Sequence, residues 1–111
     1  MVTITSRSEG QTVLTTFEVT PGTCEDLLEE LRAAFRDVIR HQPGFIAAAL
    51  HVNDAQTRIA NYSQWRHRDD FKAMLRSDEM RARNRRFNEM CKSFEPVMYE
   101  VAEVFDRDSG D

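Results

Sequence analysis

The stretch Thr57-Arg58-Ile59-Ala60-Asn61-Tyr62-Ser63-Gln64-Trp65 decides how this chain is read. Side chains alternate across a strand, so Ile59, Asn61, Ser63 and Trp65 share one face while Ala60, Tyr62 and Gln64 share the other. Asn61 and Trp65 would stand about 13 Å apart along it. An amide, a small hydroxyl and an indole in one row make an unusual core stripe. An Asn61 amide buried without a partner would cost about 1–3 kcal/mol. Either it has a partner within the fold, or it faces a cavity and awaits a ligand. Ser63, between the two, leaves room for a flat molecule.

Working outward, the turn Asn53-Asp54-Ala55-Gln56 precedes this strand, and Phe45 to Val52 before it reads as its hairpin partner. Phe45, Ala47 and Ala49 are expected on one face of that partner, with Ile46, Ala48, Leu50 and Val52 on the other. Further back, Leu27, Leu28, Leu31, Phe35, Val38 and Ile39 form one apolar helical stripe. Thr23 and Asp26 are the expected N-terminal cap, and Pro43-Gly44 the expected stop. Gln11 to Val19 alternates as a strand, with Val13, Thr15 and Phe17 on one face, and Pro21-Gly22 ends it.

Beyond Trp65 the period turns helical from about Arg68 to Phe94, in two pieces broken near Ser77-Asp78. Phe71, Met74 and Leu75 line the first piece; Met80, Phe87, Met90, Cys91 and Phe94 line the second. Pro96 then precedes a last expected strand, Val97 to Phe105. The order β-α-β-β-α-β is the ferredoxin-like arrangement, an α+β fold with both helices on one face of a four-stranded antiparallel sheet. One domain spanning 1–111 is expected, with its core at about 11–105 and frayed ends at 1–10 and 106–111. Apolar residues on both faces of the second and last strands imply a homodimer that buries the open sheet face, a dimeric α/β barrel-type assembly.

Composition narrows the function. The chain has 111 residues, 41% hydrophobic and 31% charged, the balance of a soluble globular domain rather than a membrane protein. No window is long and apolar enough for a membrane span, and the start lacks a signal-peptide core, so the expected address is the cytoplasm. Two widely spaced cysteines argue against a disulfide scaffold or a zinc site, and three scattered histidines without ligand spacing argue against any metal. No nucleotide-binding glycine motif or acyl-enzyme nucleophile motif is present. The net charge of −4 argues against nucleic acid as a partner. From Arg66 to Lys92, however, nine basic residues face five acidic ones, a local +4. That segment is the solvated face of a helix, or a cationic rim for an anionic or phenolate ligand.

Pro43-Gly44-Phe45, His51, Asn61-Tyr62-Ser63-Gln64-Trp65, Phe71 and Met74-Leu75 together resemble the antibiotic biosynthesis monooxygenase family. The pattern is especially similar to the cofactor-independent anthrone oxygenases of aromatic-polyketide pathways, over about residues 11–105. This resemblance implies a dimeric ferredoxin-like fold with a pocket between sheet and helices. It also implies oxidation of an anthrone to a quinone by O2, without flavin, haem or metal. The family's asparagine falls on Asn61, its tryptophan on Trp65, its pocket histidine on His51 and, without gaps, its arginine on Arg85. Ser63 and Phe71 join the expected substrate wall; Phe71 stands where some members carry a tyrosine. Helical register instead turns Arg83 into the stripe of Met80, Phe87 and Met90 and turns Arg85 away, so both arginines stay candidates.

Three rival readings accompany this one. A haem-degrading monooxygenase of the same fold needs an iron ligand on the second helix, and Arg68 to Phe94 holds no histidine. An aromatic-polyketide cyclase shares the fold and substrate class but needs no O2. A non-catalytic dimeric binding module would satisfy Asn61 internally.

Overall fold

The computed structural model describes residues 10–107. Most of both expected frayed ends lies outside the described residues. Element order is β1 (Gln11–Glu18), α1 (Pro21–Asp37), a single 3-10 turn (Ile39–His41), β2 (Phe45–Val52), β3 (Arg58–Trp65), α2 (Arg68–Arg76), α3 (Asp78–Met90) and β4 (Ser93–Tyr99). The sheet is antiparallel throughout, in the order β2-β3-β1-β4. This is the ferredoxin-like arrangement, with the second helix in two pieces.

α1 and α3 begin where backbone donors find local partners. Thr20, not Thr23, caps α1: its extended backbone (φ −105°, ψ 160°) turns the chain, and Pro21 occupies the first turn, where no N–H is needed. The Thr20 N–H donates to Thr23 Oγ1 at 3.3 Å, so the expected cap residue supports the true one from inside the helix. Pro21-Gly22 therefore opens the helix as well as closing the strand. α1 ends at Asp37, before Pro43-Gly44, because Val38 leaves helical geometry (φ −128°) and the chain tightens into the 3-10 turn. Ile39 stays buried there, which preserves the apolar stripe past the helix end. Between α2 and α3, Ser77 Oγ donates to the Met74 carbonyl at 2.8 Å and accepts from the Met80 N–H at 3.3 Å. Asp78 and Glu79 in the first turn of α3 complement its dipole.

Two expectations about strands are corrected. The last strand is Ser93–Tyr99, so Phe94 belongs to β4 and not to the helix, and Pro96 lies inside the strand. An edge strand tolerates this, because β4 pairs with β1 alone and can spare one N–H. Phe94 stacks on Phe17 with ring centroids 5.1 Å apart, and this contact draws the chain back to the sheet. In β2, a bulge between Phe45 and Ala47 shifts the register. Phe45 thereby pairs with Trp65 on the helix side, while Ala47 pairs with Gln64 on the open side; without the bulge the two would share a face.

The core fills the space between sheet and helices. Val13, Phe17, Ile59 and Trp65 from the strands meet Leu27, Leu31, Met74, Met80 and Phe87 from the helices, all buried. The opposite face is mixed. Leu14, Ala60 and Tyr62 are half-buried, Glu18, Arg58 and Glu95 are exposed, and Val97 and Tyr99 stand 38% and 48% exposed. No helix among the described residues is long and apolar enough to cross a membrane.

Candidate functional site

Asn61 sits near the middle of β3, one of the two inner strands, with Thr15 of β1 on one side and Leu50 of β2 on the other. Directly paired residues of an antiparallel sheet point to the same face, so all three look toward the helices. Asn61 Oδ1 is buried and accepts no hydrogen bond, and among the described residues no other buried side-chain polar atom is left so. It borders a cavity of about 50 Å³ whose walls include Phe17, Leu31, Phe71, Met80 and Phe87. The other amide on that wall is Asn84 of α3, reached across the cavity from the sheet. A space of this size takes a few water-sized molecules or one O2. Drug-sized ligands occupy roughly 300–1,000 Å³, so three fused rings need the walls to move.

Trp65 stands behind this cavity and does not line it. The indole is 1% exposed, and its Nε1–H donates to Ser63 Oγ at 3.2 Å. Its ring meets Phe45 and Phe71 edge-on at centroid distances of 5.3 and 5.8 Å. Ser63 is thus occupied by its neighbour and leaves no gap beside it. Phe71 is the link between the two: it packs on Trp65 and borders the Asn61 cavity.

The sequence of residues 11–86 matches the antibiotic biosynthesis monooxygenase family. The chain belongs to that family. Over 74 residues it is 36% identical to a protein named tetracenomycin-F1 monooxygenase from Streptomyces glaucescens, covering 67% of this chain and 66% of that one. The chain thus spans just under two thirds of that relative's length. Its fold is similar to a monooxygenase from the gene ActVA-Orf6 of Streptomyces coelicolor, solved with nanaomycin D, with a TM-score of 0.74 and 24% identity over 86% of this chain and 90% of that one. It is also similar to SnoaB, a cofactor-independent oxygenase from Streptomyces nogalater, with a TM-score of 0.69 and 18% identity over 86% and 95% of the two chains.

Within this monooxygenase fold the remaining candidates do not gather at Asn61. His51 is exposed and pairs with Ala60, on the open side of the sheet. The cause is strand parity: its neighbour Leu50 takes the position beside Asn61, so His51 must face away. Arg83 is half-buried on α3, 3.8 Å from Glu79 one turn back, whereas Arg85 is exposed, as helical register required. Neither borders the cavity. Arg83 instead lies toward the end of α1. There the Arg36 side-chain hydrogen bond holds the Asp37 carboxyl below its ordinary value, and Arg83 is among the nearby positive charges. Among the described residues no cluster of three or more His, Cys, Asp or Glu could hold a metal.

Thr15 and Asn84 went unnoticed as candidates in the sequence. Both carried a readable signal. Thr15 lies on the face of Val13 and Phe17, and Asn84 falls four residues after Met80 and three before Phe87, within the inward stripe of α3. Arg32, Arg36 and Arg40 line a second, open groove around the end of α1.

Proposed function

We propose that this protein is a cofactor-independent monooxygenase that oxidises an aromatic-polyketide anthrone or phenol to a quinone with O2, working as a homodimer in the cytoplasm. The observation that carries the reading is the buried, unpaired Asn61 Oδ1 at an apolar cavity walled by aromatic rings. Left without a partner such an atom costs about 1–3 kcal/mol, and a ligand hydroxyl would supply one. The enol tautomer of an anthrone is a phenol and supplies that donor. The relatives support the substrate class, one through its name and one through the ligand bound to it. SnoaB supports the absence of a cofactor. The half-exposed Val97 and Tyr99 on the open sheet face support a dimer that covers them.

In this mechanism Asn61 orients the phenolic hydroxyl through Oδ1, and its NH2 donates to the oxyanion as the substrate gives its proton to solvent water. The resulting anion is electron-rich enough to give one electron to O2, so the substrate itself replaces a redox cofactor. Recombination forms a carbon–oxygen bond, and protonation gives a hydroperoxide. Loss of the remaining C–H proton with cleavage of the O–O bond releases water and leaves the carbonyl. One O2 is consumed per quinone: one oxygen atom enters product and the other leaves as water. Phe71, with Trp65 behind it, forms the aromatic wall for the rings. Ser63 fixes the indole, while Arg83 and Arg85 stand off the cavity and take no direct part in this scheme. His51 reaches a substrate only from the open sheet face.

An oxygen electrode with an anthrone substrate tests the reading. One equivalent of O2 should disappear per quinone formed, and Asn61→Ala should lower kcat about 10²-fold. Ring closure of a polyketide without O2 uptake would identify a cyclase instead.

A further inference from the structure

An open groove of about 720 Å³ runs along the β2 edge beside α1, and it shares a wall with the small Asn61 cavity. The shared residue is Phe35, half-buried in the last turn of α1 and tilted against Phe45 at a centroid distance of 6.2 Å. The floor of the groove includes Leu50, which is the direct register partner of Asn61. The two spaces are therefore adjacent, with Phe35 between them. The inner one has an unpaired acceptor but no room; the outer one has room for three fused rings but opens to solvent.

Three arginines stand on the rim of the groove. Arg32 is engaged by Glu25 and Glu29, and Arg36 by Asp37 at 3.1 Å. Arg40 is exposed and forms no ion pair among the described residues. It follows the irregular end of α1, where the 3-10 turn carries it past the aromatic pair Phe35 and Phe45. A flat apolar floor beside an uncommitted guanidinium matches a flat aromatic anion, since Arg both stacks on rings and binds oxyanions.

We propose that this groove is the landing site for a flat aromatic anion, held by Arg40, and that Phe35 is the wall residue that turns aside to admit it to Asn61. The substrate class rests on the function proposed above; the binding site does not need turnover to be measured.

The test uses an anthraquinone monocarboxylate, which cannot be oxidised further at the ring, and an uncharged hydroxymethyl anthraquinone as its control. Calorimetry on the full chain should show that Arg40→Glu weakens the carboxylate about fivefold and the uncharged compound less than about twofold, the range of a partly exposed ion pair. Phe35→Ala, with Phe35→Leu as the milder variant, should raise the association rate of the carboxylate at least about threefold, because access no longer waits for a ring to move. Equal loss for both compounds in Arg40→Glu, no loss for either, or no binding by the wild type would overturn the proposal. So would an unchanged association rate in a folded Phe35 variant. The Arg40 measurement decides the matter even where both Phe35 variants misfold. Binding as expected without any O2 consumption by an anthrone would leave the groove standing and sink the oxygenase.

Discussion

Replacing Asn61 by leucine separates stability from activity. The two side chains have the same number of heavy atoms, and the adjoining cavity of about 50 Å³ can take up the extra bulk of the leucine methyls, so the change mainly exchanges polarity. Oδ1 is buried without a partner, and its neighbour across the β2–β3 pairing is Leu50. Removing an unsatisfied acceptor should return its desolvation cost, about 1–3 kcal/mol. In a domain near this size each kcal/mol corresponds to about 4–8 °C in Tm. Asn61→Leu is therefore expected to unfold later than wild type in urea, with an unchanged slope, and to lose about 10²-fold in kcat with an anthrone. The two proteins must be compared at one concentration, because a dimer's stability depends on it. A variant that unfolds about 1 kcal/mol earlier, with the same slope, would refute the reasoning: it would mean that Asn61 is paired in the folded protein and not held open for a ligand.

Trp65→Phe should cost about 2–3 kcal/mol in urea unfolding, because it opens space in the packed core and deprives Ser63 Oγ of the indole donor at 3.2 Å. Gly44→Ala should cost about 2–3 kcal/mol by the same measurement, since Gly44 has φ +83° and an added Cβ would overlap the Asp70 side chain. Adding Asp70→Ala to it should return the steric part and leave the conformational part. Burial pushes the thiols of Cys24 and Cys91 above their ordinary value of 9.0, with the Glu25 charge adding to Cys24. Folded thiols then hold their protons more tightly than unfolded ones. Their contribution to stability should be constant below about pH 9 and decline as pH rises above it, while Cys24 should react with a disulfide reagent far more slowly than a free thiol.

The fold was legible where one periodicity dominated. The stripe from Leu27 to Phe35 has a single reading as a helix, and the alternation from Gln11 to Phe17 a single reading as a strand. Boundaries failed where a residue type had two uses. Pro21-Gly22 can close a strand or open a helix, and the hydroxyl of Thr20 decides for the second. Phe94 is three residues after Cys91 and four after Met90, which fits a helix; its stacking on Phe17, 77 positions away in sequence, pulls it into β4. The bulge at Ile46 has no local signature, because Phe45-Ile46-Ala47-Ala48 is apolar in either register. Only the pairing with β3 shows which face each residue takes.

The same distinction governs the site. Asn61 was legible because one polar amide interrupts an inward row between Ile59 and Ser63, and the structure leaves its Oδ1 unpaired. The far wall was not, since which of Arg83, Asn84 and Arg85 turns inward depends on where α3 begins, and Ser77 sets that. Once placed, the two halves explain each other. The cavity is too small for fused rings, so binding must displace a wall residue, and a displaced aromatic side chain loses packing. A ligand hydroxyl on Asn61 Oδ1 recovers about 1–3 kcal/mol, equivalent to a factor of about 5–150 in the equilibrium between closed and open walls. An apolar ring without a hydroxyl gains nothing from Oδ1 and must open the wall on burial alone. The unpaired amide thus acts as a selector: it favours phenolic rings over bare hydrocarbons before any oxygen chemistry begins.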